Sequence, residues 1–125
     1  MKSADRNIRQ CLQYVIKKNG PFRWSKILGF TKEEFLSHLE KNFSEGMSFS
    51  NYGEWVISLH IPRRCYRFSS LRDPDFYKCW SLKNITPKWL KAAQKTTKKV
   101  KRETLEKYGL WDILPTGNIS DLIEE

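Results

Sequence analysis

The sequence predicts one α+β domain whose helical part comes before its strands. Two segments repeat apolar residues at helical spacing, the first near residues 5–18 and the second beginning at Thr31. A third segment, Trp55–Ile61, alternates apolar and polar residues as a half-buried strand does. A chain of 125 residues is long enough to bury a single core of modest size.

The first helix is predicted from about Asp5 to Lys18, because Gly20 and Pro21 supply a stop signal. Its apolar stripe consists of Ile8, Leu12, Val15 and Ile16. Its polar face carries four cations, which we interpret as a solvated surface: Arg6, Arg9, Lys17 and Lys18.

The second helix opens at Thr31, which stands three residues before Glu34 as in a capping box. Core residues on this helix are predicted to be Phe35, Leu36, Leu39 and Phe43. His38 lies among them, and we interpret it as structural. The predicted N-terminal helices therefore span residues 5–43.

An arginine-rich segment follows the predicted strand, which Pro62 ends. We expect this segment to form a hairpin turn or the start of the return strand. Its cations are Arg63, Arg64 and Arg67. Guanidinium groups form bidentate bonds to phosphate oxygens, so these residues are candidates for nucleic-acid contact. A plain solvated turn is the alternative.

The last predicted helix begins with Thr86 and Pro87, an N-cap followed by a first-turn proline, and continues to Arg102. Its cations fall on or beside one face: Lys88, Lys91, Lys95, Lys98, Lys99 and Arg102. Like charges at this spacing repel by about 0.2–0.5 kcal/mol per pair, and a bound polyanion would relieve that cost. We expect DNA or RNA contact here, with a solvated charge run as the alternative.

Positive charge is concentrated in the first part of the chain. The formal net charge is +9, yet residues 1–102 hold 22 Lys and Arg against 8 Asp and Glu, whereas residues 103–125 hold 1 against 6. Such a basic body attracts polyanions through counterion release, and nucleic acid is the intracellular polyanion that it suits best.

The acidic tail also contains bulky apolar residues, which is unusual for a disordered end. We expect residues 110–125 to dock onto the body or a second subunit and to cover part of the basic face. Removing them should then tighten nucleic-acid binding or change the oligomeric state.

The three cysteines, Cys11, Cys65 and Cys79, form no paired motif, so we predict neither a disulfide framework nor a metal site, and no cofactor. The first residues lack the apolar core of a signal peptide, and no apolar run is long enough to cross a bilayer. We therefore expect a soluble cytoplasmic protein without a membrane partner.

Several ordered segments carry a resemblance to a known family. Residues 51–62 read N-Y-G-E-W-V-I-S-L-H-I-P, and residues 79–89 read C-W-S-L-K-N-I-T-P-K-W. Upstream, residues 28–35 read L-G-F-T-K-E-E-F and residues 39–43 read L-E-K-N-F. Together they resemble the phage- and homing-type HNH endonucleases, in which the first of these segments is N-Y-G-x-W-H-I-D-H-I-I-P.

The resemblance implies a ββα-metal fold, a β-hairpin followed by a helix, over residues 51–102 of a domain that spans residues 1–102. The catalytic and metal-binding residues of the family are replaced here, at Val56, Ser58, Leu59 and Ala93. Val and Leu side chains can neither bind a metal ion nor activate water. Asn84 matches the family's middle Asn, which holds the loop in place. We therefore expect a degenerate member without catalytic or metal-ligating residues.

The expected function is that of a non-cleaving protein of a phage or mobile element, which occupies DNA, in duplex form, as a repressor or as the competitor of a nuclease. A protein-interaction module that inhibits another enzyme is the alternative, because of the apolar-acidic tail. A third reading keeps some metal-dependent cleavage through His60 with a nearby carboxylate. The candidates for that carboxylate are Glu54, Asp73 and Asp75.

Overall fold

The computed structural model describes residues 4–95, 99–117, 119 and 121–124. Within these residues, helices and two small sheets follow one another along the chain. The elements are α1 (Ala4–Lys18), α2 (Ser25–Leu28), α3 (Lys32–Lys41), β1 (Trp55–Leu59), α4 (Pro74–Cys79), β2 (Ile85–Trp89), α5 (Leu90–Gln94), β3 (Val100–Lys101), α6 (Arg102–Lys107) and β4 (Ile123–Glu124). The predicted α+β class is confirmed.

The first and third helices form as their apolar spacing predicts. Helix α1 buries the predicted stripe against the core, and α3 buries Phe35 and Leu39. The capping box at the start of α3 is complete, since the Glu34 N–H donates to Thr31 Oγ1 at 3.0 Å and the Thr31 N–H donates to Glu34 Oε1 at 2.9 Å. Both predicted helices are present, although α3 ends before Phe43, and Leu36 and Phe43 are only partly buried.

The central sheet pairs β1 with β2 in antiparallel register, and α5 follows β2 without a break. Trp55 lies opposite Trp89, and Leu59 lies opposite Ile85. One face of β1 is buried in the core through Trp55, Ile57 and Leu59, as its alternation predicts. The other face carries Val56 and Ser58, which are only partly covered.

The helix predicted from Thr86 to Arg102 is wrong at both ends, because α5 spans only Leu90–Gln94, Val100–Lys101 form β3, and Arg102 begins α6. Thr86 and Pro87 lie in β2, where Pro87 faces Ile57 of the neighbouring strand, and the helix begins only at Leu90. A proline is tolerated here because β2 has one neighbouring strand, so its missing N–H need not serve a second one. Strand pairing therefore overrides the local helix signal, and Lys88 lies on a strand.

The prediction for the arginine-rich segment is also wrong. Arg63–Cys65 form a 3₁₀ turn, not a hairpin turn or a return strand. The return strand is β2, and the intervening residues 60–84 include α4. This long connection places the turn beside the end of β1.

The loop before β1 is held by Asn51. Its Oδ1 accepts from the Ser48 N–H at 2.8 Å and from Trp55 Nε1 at 2.9 Å, while its Nδ2 donates to the Gly46 carbonyl at 2.9 Å. Gly53 has a φ of +118°, a backbone angle that residues with a side chain rarely adopt. The Asn51 hydrogen bonds and the Gly53 backbone angle therefore give the N-Y-G-E-W segment a structural role, which is to shape the loop that leads into β1.

The segment predicted as a tail contributes to the same core as the body. Leu110, Ile113 and Leu122 are buried in it. The Tyr66 hydroxyl donates to the Ile113 carbonyl at 2.7 Å, and β3 pairs in parallel with β4. Docking onto the body is therefore observed for the described part of the tail. None of the helices described could span a bilayer.

Candidate nucleic-acid interface

A surface pocket of about 380 Å³ opens where β1, β2, α5 and α1 meet. Its volume lies within the roughly 300–1,000 Å³ of small-ligand sites. The lining residues are Arg9, Ser58, Leu59, His60, Pro62, Arg63, Arg64, Lys88, Ala92, Ala93 and Lys95.

Three of the four positions that the resemblance pairs with catalytic or metal-binding residues line this pocket. Ser58 and Leu59 come from the end of β1, and Ala93 comes from α5. Val56 is outside the lining and lies opposite Lys88 in the strand pair. Residues far apart in the sequence, which only the resemblance had connected, are therefore neighbours in space.

The pocket is strongly basic. Five of its lining residues are cationic, and among the residues that the structure describes no Asp or Glu lines it: the cations are Arg9, Arg63, Arg64, Lys88 and Lys95. Like charges that line one pocket repel one another, and more strongly near a protein surface than in bulk water. A bound anion would offset this repulsion.

Arg63 is held by contacts within the protein. Its Nε donates to Asp5 Oδ2 at 2.7 Å, its Nη1 donates to the Tyr66 carbonyl at 2.9 Å, and its guanidinium lies 3.8 Å from the centre of the Phe68 ring. The other carboxylate oxygen of Asp5 accepts from Trp80 Nε1 at 2.7 Å. We call this arrangement of Asp5, Arg63 and Trp80 the Asp5 clamp. Arg63 shapes one wall of the pocket, and its charge is already paired with a carboxylate.

The other cations of the pocket have no carboxylate partner within the described part of the chain. Arg64 and Lys95 are exposed, whereas Lys88 is half-buried, and burial lowers the pKa of its ammonium group. Arg9 lies with its guanidinium 5.3 Å from the centre of the Trp80 ring. Sequence reasoning missed Arg9, because nothing in the chain around it indicates how α1 packs against the sheet.

The remaining predicted cations do not join the pocket. Arg67 borders a separate shallow depression together with Asp73, and Lys91 is exposed on α5. Lys99 is exposed before β3, and Arg102 begins α6 with its guanidinium 5.3 Å from the centre of the Trp111 ring. Lys98 lies outside the described residues. The single helical face that was predicted to carry these residues is therefore not formed.

His60 stands at the edge of the pocket with its ring stacked on Tyr108, at 4.1 Å between ring centres. Burial, followed by the nearby charges of Lys88, His38 and Lys107, lowers its pKa from 6.5 to about 4. The imidazole is therefore neutral near pH 7. A neutral His60 could accept a proton, whereas it could hold a metal ion only together with further ligands.

The carboxylates proposed to assist His60 are engaged elsewhere. Asp73 accepts from the Ser69 N–H at 2.8 Å, and Glu54 accepts from Asn51 Nδ2 at 2.8 Å. Asp75 is almost completely buried and accepts from Thr116 Oγ1 at 2.7 Å. None of these three lines the pocket.

The lowered pKa of His60 predicts that the stability of the protein depends on pH. Its folded-state pKa lies below its unfolded value, so the folded state favours the neutral ring, and its contribution is complete above about pH 6.5. That contribution is lost as the pH falls towards 4. We expect urea denaturation to show a steeper loss of stability between pH 6.5 and 4 in the wild type than in His60→Gln. Parallel curves for the two proteins would contradict this assignment.

Asn84 is completely buried and ties the end of β1 to the chain before β2. Its Oδ1 accepts from the Ile61 N–H at 2.8 Å, and its Nδ2 donates to the carbonyls of Cys79 at 2.8 Å and Ile61 at 3.2 Å. The Asn84 carbonyl accepts from the His60 N–H at 2.9 Å. These bonds fix the backbone that presents His60 to the pocket.

The residues of the pocket do not fit the divalent metal ion of HNH endonucleases. Such an ion needs carboxylate, imidazole or thiolate ligands, and the pocket offers the Ser58 hydroxyl and the His60 ring among five cations. Among the described residues, no cluster of three or more His, Cys, Asp or Glu side chains could hold a metal ion. The pocket therefore suits an anion, because its charged side chains are cations that donate hydrogen bonds.

Comparison of the chain with protein-family models, with curated protein sequences and with solved structures finds no match. The function of the protein must therefore be inferred from the pocket, its charges and the elements that build it.

Proposed function

We propose that this protein is an HNH-like DNA-binding protein that does not cleave DNA, and that it acts by occupying duplex DNA as a repressor or as the competitor of a nuclease. The observation that carries the proposal is the basic pocket, which Ser58, Leu59 and Ala93 line together with four cations that have no carboxylate partner among the described residues. The order β1, β2, α5 supports it, because an antiparallel strand pair followed by a helix is the arrangement that the resemblance implies.

The charge of the whole chain also supports DNA as the partner. A net charge of +9 favours association with polyanions at low salt. Lys91, which is exposed on α5 and lies outside the pocket lining, adds a further cation to the helix that carries Ala92 and Ala93. Phosphate contacts of this kind fix a protein on DNA without reading its sequence.

The alternative, a protein-interaction module, was based on the tail. The apolar residues that would meet a partner include Leu110, Ile113 and Leu122, which are buried in the protein's own core. This finding favours DNA over a protein partner.

The test is a titration of labelled duplex DNA across a salt series in the presence of Mg²⁺, followed by a denaturing gel. If about five phosphates are neutralised, the logarithm of the binding constant should fall with a slope of about −4.5 against the logarithm of salt concentration. Salt-sensitive binding with intact strands supports the proposal. Cut strands would contradict the non-cleaving role, and absence of binding at low salt would contradict DNA as the partner.

A further inference from the structure

We propose that the pocket binds one phosphate group directly through guanidinium and ammonium groups, at the place where HNH endonucleases use a metal ion. The proposal rests on the proposed function for the source of this phosphate, which is the backbone of duplex DNA. The groups that would hold it are Arg9, Arg64, Lys88 and Lys95.

The chemistry of the lining carries this proposal. Phosphate oxygens only accept hydrogen bonds when the group is fully ionised, and the four cations offer only donors. Guanidinium groups can donate two parallel bonds to one phosphate, whereas ammonium groups act as point charges. Ser58 adds a neutral hydroxyl on the strand side of the pocket.

The rigidity of the surroundings favours a specific site over a diffuse basic patch. The Asp5 clamp fixes Arg63 and so the turn that carries Arg64. The Trp80 ring, which the same carboxylate anchors, lies beneath the guanidinium of Arg9. Lys88 extends from the strand pair, where it lies opposite Val56. Three of the four cations are thus attached to restrained parts of the protein.

The direct test is an NMR titration of the ¹⁵N-labelled protein with inorganic phosphate, at constant ionic strength and with chloride as the reference salt. We expect saturable shifts concentrated at the amides of Ser58, His60 and Ala93. Shifts that are absent, or that equal those produced by chloride, would overturn the proposal.

Single substitutions test the residues. Arg64→Ala and Lys95→Ala should each weaken phosphate binding by about 10-fold or more, as expected from the loss of one charge-assisted hydrogen bond. Both side chains are exposed, so the fold should be retained. The matched control is Lys41→Ala, an exposed lysine on α3 that borders a different depression with Glu33 and Glu34. Equal effects of all three substitutions would mean that general electrostatic attraction, and not a specific site, holds the phosphate.

Addition of DNA separates this inference from the proposed function. If DNA shifts the same amide signals and competes with inorganic phosphate, the DNA backbone is the source of the phosphate that the pocket binds. If DNA binds without affecting these amides, the inference fails and the proposed function stands. If phosphate binds but DNA does not, the site stands and the proposed function fails.

A metal titration provides an independent check. Because the site needs no metal ion, Mg²⁺ should leave phosphate binding unchanged or weaken it by screening relative to EDTA. Tighter phosphate binding in Mg²⁺ would overturn the proposal, since it would mean that a metal ion bridges the protein and the phosphate.

Discussion

Reversing two charges of the pocket, in the variant Arg64→Glu with Lys95→Glu, is expected to lower the affinity for duplex DNA by about 100-fold or more. Each substitution removes a charge-assisted contact worth about 1.5–3 kcal/mol and places a carboxylate near the phosphates. The slope of the logarithm of the binding constant against the logarithm of salt concentration should also become shallower, by about 1 for the one phosphate that the pocket holds. Fluorescence anisotropy with labelled DNA at two salt concentrations measures both quantities.

The matched control for this experiment reverses two exposed lysines outside the pocket, in Lys26→Glu with Lys41→Glu. It changes the net charge by the same amount and so reports the contribution of overall attraction. We expect it to lose clearly less affinity than the pocket variant. If both variants lose affinity equally, the protein binds DNA through its total charge and the pocket has no special part.

Leu110→Ala is expected to destabilise the protein by about 2–5 kcal/mol, the range measured for leucines of protein cores. Leu110 is completely buried although it lies in the segment that the sequence presented as a tail. Leu71→Ala is the control, because Leu71 is 39 % exposed and should lose less than about 1 kcal/mol. Urea denaturation of the three proteins gives the free energies of unfolding.

A loss below about 1 kcal/mol for Leu110→Ala would mean that the tail detaches from the core. In that case, removal of residues 110–125 would again be expected to tighten nucleic-acid binding. With the tail packed as described, the same truncation removes core residues and should instead unfold the protein. Of the tail residues that the structure describes, none lines the basic pocket.

Local patterns predicted the elements that depend on local interactions. Helix α1 follows from its apolar stripe, α3 from the Thr31 capping box, and β1 from the alternation that begins at Trp55. The capping box is a contact between residues three positions apart, and the other two signals are repeats of apolar residues within a short segment. The elements therefore form where the sequence places them.

Signals that compete with long-range pairing were misleading. Thr86 and Pro87 have the spacing of a helix start, yet β1 supplies a strand partner and the pair lies in β2. The turn at Arg63 looked like a hairpin because no local feature shows that the return strand comes only after α4. The strand partner of a segment cannot be identified from its local sequence.

The candidate site was predicted in part. The resemblance linked Ser58, Leu59 and Ala93, which meet in the pocket, and arginine clustering indicated Arg64. Arg9 was assigned to a solvated face, since only the packing of α1 brings it to the pocket. Arg63 was predicted to contact nucleic acid, but an aspartate 58 positions earlier binds it. Contacts between distant residues decided each of these differences.

The Asp5 clamp has a consequence for the kinetics of folding. It joins Asp5 to residues 58 and 75 positions away, and contacts between such distant residues slow the folding of small domains. A partly folded chain carries all of its lysines and arginines before this clamp has closed. Such a chain can already associate with nucleic acid by charge, while the shaped pocket exists only after folding is complete. Nucleic acid present during refolding should therefore capture the chain early and retard its final step.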